Sequence, residues 1–319
     1  MLTRVSGLNK NAIDSEVIEM EMRNENIDIP KPIKSPSTIK IIWRELVRDK
    51  LALVSLIFLV LITAFVYGIA LFLDKSEIVT VDLFAINEPP GGEFILGTDY
   101  GGRDIFGQLI IGTRNSLSVA ILVTLMTGVI GVVYGLVSGY IGGTVDNIMM
   151  RILDFFLILP FLMIVIVFVA IVPKYTVFSF SLIMTAFLWM GIARMIRSKA
   201  LQEKELDYAQ ASRTLGSSNL KVMFRQVLPN ISSLIIVTMT LNLAANIGLE
   251  SGLSFLGFGF PESTPSLGTL LGYARNPQTL EFRWWIWVPA AVLILVLMLS
   301  VNNVGQALKR ATDARQRRG

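Results

Sequence analysis

Residues 207–230 read DYAQASRTLGSSNLKVMFRQVLPN, a polar stretch lodged between two long apolar blocks. From Arg197 to Leu215 the chain is helix-compatible and strongly polar, with Tyr208 and Leu215 as its main hydrophobic contacts. Gly216 suits the left-handed conformation that stops a helix, which other residues adopt only at a cost of ~1 kcal/mol. Ser217, Ser218 and Asn219 then offer N-caps for a new helix. Leu220, Met223, Phe224 and Val227 follow at i, i+3, i+4 and i+7, the apolar stripe of an amphipathic helix. Pro229 is expected to end that helix, with the next span starting at Ile231. The pattern predicts a polar helix held at a fixed angle below a membrane by a second helix packed on the span ends. An ordinary amphipathic connector has the same pattern, so these residues alone leave both readings open.

The blocks on either side set the fold class. Hydrophobic residues make up 53% of the 319, and mean hydropathy is +0.63, which points to a membrane protein. Six runs are charge-free over lengths near the ~20 residues a helix needs to cross the hydrocarbon core. They are 51–73, 117–141, 155–172, 175–193, 231–249 and 284–308, with the third and fourth forming a hairpin around Pro173 and Lys174. These are continuous apolar blocks rather than alternating ones, so the expectation is an all-α integral membrane protein and not a barrel. Residues 251–260, SGLSFLGFGF, are also uncharged and leave five or seven spans open.

Charge gives the orientation. With six spans, twenty-two of the 28 Lys and Arg fall on the side of both termini and the 194–230 loop, and six on the other. Positive charge marks the cytoplasm, so both termini and the opening stretch are expected inside. No signal peptide is expected, because the first apolar run begins only at Leu51. Residues 1–38, with Pro30, Pro32 and Pro36, read as a disordered cytoplasmic tail. Ile39, Ile42, Trp43 and Leu46 then mark an interfacial helix over 39–50. An extracytoplasmic loop is expected over 74–114 and a core over 115–308 that holds the 197–230 loop. The tail 309–319 carries Lys309, Arg310, Arg315, Arg317 and Arg318; beside a span it suits anionic headgroups better than nucleic acid.

Composition also excludes. The chain has no cysteine and no histidine, which removes thiolate chemistry, imidazole bases and most zinc sites. No metal site is expected. No G-x-x-x-x-G-K-[ST] is present, and the glycine-rich 97–104, GTDYGGRD, lacks the lysine. The two halves do not resemble each other as inverted repeats do. Ionisable residues in the spans reduce to Arg151 and Asp154, three apart and able to pair, and Glu250, which suits a hydrogen-bonded structural acid better than a substrate contact. No catalytic constellation converges, so an enzyme is not expected. Trp284, Trp285 and Trp287 read as an aromatic belt. Asp99, Arg103 and Asp104, read alone, form a solvated surface cluster, with an amphipathic part from Ile105 to Ile111 on the outer face near a pore mouth.

The opening stretch resembles the EAA loop of membrane subunits in binding-protein-dependent ABC importers. The match runs through Gln210, Ala211, Ser212, Gly216, Leu228 and Pro229, with Gln210 in place of Glu and Ser212 in place of Ala. Four further stretches resemble the C-type permeases of oligopeptide and dipeptide importers. They are 96–117 (LGTDYGGRDIFGQLIIGTRNSL), 146–162 (DNIMMRILDFFLILPFL), 250–268 (ESGLSFLGFGFPESTPSLG) and 302–315 (NNVGQALKRATDAR). The first of these brings in Gly97, Thr98, Asp99, Gly102, Arg103, Asp104 and Arg114 as the extracytoplasmic motif. In the last, Lys309 and Ala314 depart from the family's Arg and Pro. The five motifs are collinear over about 39–315.

The resemblance implies a type I ABC importer transmembrane domain of six helices in a bacterial cytoplasmic membrane. It implies a homologous second permease, two ATPase subunits inside that hold ATP and Mg, and an extracytoplasmic binding protein, with no cofactor on this chain. The polar helix would be the coupling helix, where Gln210 can hydrogen-bond but not form a salt bridge. Asp207, one turn earlier, is the nearest residue to carry the missing charge. The same architecture serves nickel, glutathione and other solutes. A stand-alone channel or scaffold is the rival of another class.

Overall fold

The computed structural model describes residues 44, 46–171 and 176–316. The expected tail 1–38, most of the interfacial helix 39–50 and the hairpin junction at Pro173 and Lys174 lie outside the described residues. The elements are α1 (Lys50–Ile69), α2 (Lys75–Val79), α3 (Ile105–Ile141), α4 (Gly143–Ile158), α5 (Phe161–Ile171) and α6 (Val177–Glu203). Then come α7 (Asp207–Thr214), α8 (Asn219–Val222), a π turn (Met223–Val227), α9 (Leu228–Phe255), α10 (Leu267–Gly272), α11 (Pro277–Phe282) and α12 (Trp284–Gln316). Isolated bridges at Gly91–Phe94 and Thr98–Asp104 are the β-structure among the described residues.

Five helices are long and apolar enough to cross a membrane: α1, α3, α6, α12, and α8 to α9 as one continuous rod. A sixth is the pair α4 and α5, bent by 72°. The expected span 155–172 is therefore broken. Pro160 is the cause: it has no N–H to donate, and it drives the preceding Leu159 out of the helical region to ψ 131°.

Other boundaries shift as well. Asp104 caps α3 twelve residues before the expected start, accepting from Phe106 and Gly107 N–H at 3.2 and 2.8 Å. At 1.5 Å per residue the 37 residues of α3 run about 55 Å, well past a hydrocarbon core of about 30 Å. Ile105–Ile111 is thus the buried start of a span helix rather than a separate amphipathic piece. Ile105, Ile110 and Ile111 are buried in the first turns of a span helix, and Arg114 lies in that helix rather than in a loop. At the other end of the chain, α12 continues through the expected basic tail to Gln316.

What holds the bundle is a seam of small residues. Gly131, Gly135 and Gly139 recur every four residues along α3 and meet the backbone of α6. A Cβ on Gly131 would stand 2.8 Å from the Trp189 carbonyl oxygen, and one on Gly139 2.5 Å from that of Arg197. On Gly135 it would overlap the Ala193 carbonyl oxygen. Lipid tails are as apolar as leucine, so helices in a bilayer gain little from burying leucine; close backbone approach is what brings them together. Two polar cross-links add register: Asn246 of α9 donates to Thr124 Oγ1 of α3 at 2.9 Å, and Asn303 of α12 to Ser55 Oγ of α1 at 3.2 Å. At the entry to α1, Asp49 caps the helix and pairs with Arg310 near the end of α12, which puts those two chain regions at one end of the bundle.

Gly135→Leu should wedge α3 from α6 at the point where no atom can yield. The expected loss is at least the ~1–3 kcal/mol of an overpacked core. Gly191→Ala, where an added methyl meets nothing, should be near neutral. Thermal unfolding of the two variants in one detergent checks this, with a lower midpoint expected only for the first.

Candidate coupling surface and the polar knot at the opposite end

The 197–230 stretch is two helices, not one, before its glycine. α6 ends at Glu203; Lys204 to Leu206 make a turn, and α7 starts at Asp207. Leu206 is extended and gives no side-chain cap, so Asp207 in the first turn supplies the negative charge that a helix N-terminus favours. Gln210 folds back over the turn, its Nε2 donating to the Glu205 carbonyl at 3.0 Å. The C-terminus closes as a Schellman motif. Gly216 N–H donates to Arg213 O at 2.9 Å and Ser217 N–H to Ser212 O at 3.0 Å, with Gly216 at φ +83°. Ser218 Oγ then accepts from Lys221 N–H at 3.4 Å and starts α8.

Three side chains tie the inner face of α7 to the bundle. Tyr208 donates to Glu203 Oε2 at 2.6 Å, Gln226 Nε2 donates to Ser212 Oγ at 2.7 Å, and Arg213 Nε donates to Tyr140 Oη at 3.1 Å. Burial, and then the adjacent Glu203 carboxylate, push the Tyr208 phenol up to about 12. Ala209 is fully buried in a cluster with Tyr140, Ile196, Val222, Met223 and Val227. The outer face is different. Asp207, Gln210, Ala211 and Thr214 are exposed, and so are Leu215, Leu220 and Phe224.

That placement corrects two expectations. Leu215 is not a packing contact, being 86% exposed. The apolar stripe is displaced too: Val222, Met223 and Val227 face inward, while Leu220 and Phe224 do not. Pro229 is the reason. It cannot donate to the carbonyl four residues back, and the chain widens into a π turn in which Leu228 N–H reaches Met223 O. Pro229 therefore does not end the helix; it lies in the first turn of α9, and the rod runs on from Asn219 to Phe255.

At the other end of α3, Gly97, Thr98, Asp99, Gly101, Gly102 and Arg103 form a buried polar knot, not a solvated cluster, beneath a largely exposed stretch over 82–96. Asp99 is completely buried. Its Oδ1 accepts from Gly101 and Arg103 N–H at 2.7 and 3.0 Å, and its Oδ2 accepts from Gln108 Nε2 at 2.9 Å and Tyr273 Oη at 3.3 Å. Arg103 Nε lies 3.2 Å from the same carboxylate as an ion pair, and its guanidinium stands 5.4 Å from the Tyr100 ring centre. Burial opposes the Arg103 charge, but the Tyr273 and Asp99 oxygens hold it above its ordinary value. Burial, then Asp99, pushes the Tyr273 phenol up. Thr98 donates to the Ala85 carbonyl and accepts from Glu88 N–H at 2.8 Å, while Trp285 Nε1 donates to Thr98 O at 3.3 Å. Gly97 and Gly102 are buried, and a Cβ on Gly102 would overlap the Asp82 carbonyl oxygen at φ +71°. Arg114, half-buried, donates to Asn115 Oδ1 at 3.2 Å, and Asn115 donates to Pro265 O at 2.8 Å.

The remaining site candidates separate. Asp154 pairs with Arg194 of α6 at 2.5 Å, not with Arg151. A residue on the facing helix reaches the carboxylate better than one on its own helix. Glu250 is completely buried near the end of α9, its Oε1 2.8 Å from Ser254 Oγ and its Oε2 3.4 Å from Ser251 Oγ. The hydroxyls of Ser116 and Ser266 also turn to it, so it sits where α3, α9 and the cap of α10 meet. Residues 251–260 continue α9 to Phe255 and then turn back over Ser254, whose Oγ accepts from Phe260 N–H at 3.3 Å. Among the described residues no three His, Cys, Asp or Glu side chains gather to hold a metal.

Comparison with known proteins agrees with this architecture. The family described as "Binding-protein-dependent transport system inner membrane component" matches residues 131–314, and the "N-terminal TM domain of oligopeptide transport permease C" matches residues 37–90. The oligopeptide transport system permease protein OppC of Lactococcus lactis subsp. cremoris is 47% identical over 283 residues, 88% of this chain and 96% of its own. The dipeptide transport system permease protein DppC of Bacillus subtilis is 36% identical over 303 residues, 95% of this chain and 93% of its own. Among solved structures, an inward-facing form of the MetNI methionine ABC transporter aligns at TM-score 0.49 and 19% identity, covering 65% of this chain and 97% of that one. The chain belongs to the family of binding-protein-dependent transport system inner membrane components. It is a multi-pass, membrane-embedded ABC permease subunit with a role in transport.

Asp99→Ala should strip Arg103 of its buried partner, leave Tyr273 without its acceptor and leave Gln108 only the longer bond to Arg103 O, a loss of about 3–5 kcal/mol by analogy with broken buried pairs. Asp104→Ala removes one helix cap and should cost about 1 kcal/mol. Hydrogen exchange at the Gly101 and Arg103 amides checks the pair, with rapid exchange expected in the first variant only.

Proposed function

We propose that this chain is one of two permease subunits of an ATP-driven importer of oligopeptides or dipeptides, and that the outer face of α7 docks on an ATPase. One observation carries the reading. α7 is pinned to the bundle on one face, while Asp207, Gln210 and Ala211 stand exposed on the other, and in the residues that follow Leu215, Leu220 and Phe224 are also uncovered. A connector needs no such apolar surface at its tip; a socket on a partner would cover it. Relatives named for oligopeptide and dipeptide transport support the substrate class.

In this reading ATP and Mg are held by two cytoplasmic ATPase subunits, and a binding protein outside delivers the peptide. Closure of the ATPase pair pushes on α7, and the rod α8 to α9 with α3 carries the displacement into the spans. Ser212 is engaged with Gln226 and serves the hinge; Gln210 and Asp207 face the partner. Arg151, Asp154 and Glu250 belong to the frame. The chain sits in a bacterial cytoplasmic membrane with both termini inside, an orientation supported by the twenty-two of 28 basic residues that a six-span arrangement puts on that side.

Two tests apply. A single cysteine at Ser218 should be labelled from the cytoplasm only, and one at Ser263 from outside only; labelling of both from one side sinks the orientation. For coupling, a Cβ at Gly216 meets no atom within 4 Å, so the effect of Gly216→Val is chiefly backbone strain, roughly 1–2 kcal/mol at positive φ. The subunit should insert normally while ATPase co-purification and substrate-stimulated hydrolysis fall. Gly216→Ala should be milder, and Asp207→Ala intermediate. Normal coupling in Gly216→Val at equal membrane levels would reduce the loop to a connector.

A further inference from the structure

The three tethers of α7 are not equivalent. Tyr208 to Glu203 spans five residues of chain and ties α7 to the end of α6 across the turn between them. Ser212 to Gln226 spans fourteen and crosses the glycine hinge. Arg213 to Tyr140 spans seventy-three and ties α7 to α3, the helix that runs unbroken to the polar knot at the far end. The Arg213 guanidinium carbon also stands 4.7 Å from the centre of the Tyr140 ring. A hydrogen bond fixes distance and a stacked cation resists sliding, so the pair transmits displacement in more than one direction.

Tyr140 is itself anchored. It is 3% exposed and lies in the last turn of α3, beside Gly139, which packs on the Arg197 backbone of α6. Two residues earlier, Ser138 bonds Asp146 of α4, and Asp146 takes Arg197 Nε and Nη2 at 2.5 Å each. A push arriving at the Tyr140 ring therefore acts at once on α3, α4 and α6.

We propose that Arg213 and Tyr140 are positioning residues for coupling: the strut through which displacement of α7 reaches α3. This rests on the reading of α7 as the ATPase-docking helix. It assigns docking and transmission to opposite faces of one short helix, so the two functions are separable by mutation.

The test uses the whole transporter in lipid nanodiscs, with Arg213→Ala, Tyr140→Leu, Tyr140→Phe and the double variant Arg213→Ala with Tyr140→Leu. The readouts are ATPase co-purification, thermal midpoint, and peptide taken up per ATP hydrolysed. Because Tyr140 is buried, an effect there cannot be a lost contact with the ATPase. Expected is unchanged co-purification with uptake per ATP lowered by roughly 3- to 10-fold in Arg213→Ala and Tyr140→Leu, and no further in the double variant. Tyr140→Phe, which keeps the ring and loses the hydroxyl, should fall between. If Tyr140→Leu does not fold, exposed Arg213→Ala and isosteric Tyr140→Phe still decide. Normal uptake per ATP in those two, or additive losses in the double variant, overturns the strut while leaving docking intact. Loss of co-purification in Arg213→Ala alone would make Arg213 a docking contact and also overturn it. Failure of the unaltered subunit to recover an ATPase would instead remove the reading beneath the proposal.

Discussion

Gly131, Gly135 and Gly139 let the backbones of α3 and α6 meet without an intervening side chain, and most of the architecture hangs on that contact. In water a leucine at each position would bury more apolar area. In lipid that gain vanishes, and a bulky side chain only holds the helices apart. Once α3 and α6 are fused along this seam they form one rigid unit. α6 ends in the turn that launches α7, and α3 ends in the tyrosine that receives α7 back. The short polar helix is held at a definite angle because both of its supports belong to the same fused pair.

The N-terminal end of α3 solves a different problem. Irregular backbone near a bilayer has little water to satisfy its N–H and C=O groups, and must find partners inside the protein. Residues 82–104 do so around one carboxylate: Asp99 accepts from two backbone amides and two side chains while facing Arg103. That is a buried charge with its pairing complete, and it stitches the loop before α3 to Tyr273 in the stretch before α12. Glu250 is handled with neutral donors instead, inside a cage of serines. The end of the bundle where α3 begins is thus closed by polar hubs, and the last third of α3 is held by close-packed glycines.

How much of this was legible in the sequence depends on the length of chain each feature involves. Five spans were readable because an apolar block of twenty residues has few other uses, and the Gly216 stop because a single φ decides it. The burial of Asp99 was not readable. DYGGRD has the composition of a surface turn, and only the return of Tyr273 from 174 positions away shows that it is enclosed. The partner of Asp154 was missed for the same reason: Arg151 is near in sequence, whereas Arg194 is near in space. The four-residue spacing of Gly131, Gly135 and Gly139 is a pattern of close helix approach in lipid, but the spacing does not say which helix comes close.

Pro229 is the most instructive case, because the rule applied to it was sound and the outcome differed. A proline inside a helix leaves a carbonyl without its donor and strikes the preceding turn. A chain can stop there, or it can add a residue to the turn and carry on. Here it carries on, and the wider turn changes which residues lie one turn before Val227. In an α-helix they would be Met223 and Phe224; in the π turn they are Val222 and Met223. Rotating the register by about 100° for one extra residue leaves Phe224 and Leu220 uncovered, as Leu215 is. The same proline therefore does two things. It keeps α8 to α9 a single continuous rod instead of two jointed pieces, and it leaves uncovered the apolar side chains that sequence periodicity assigns to the bundle.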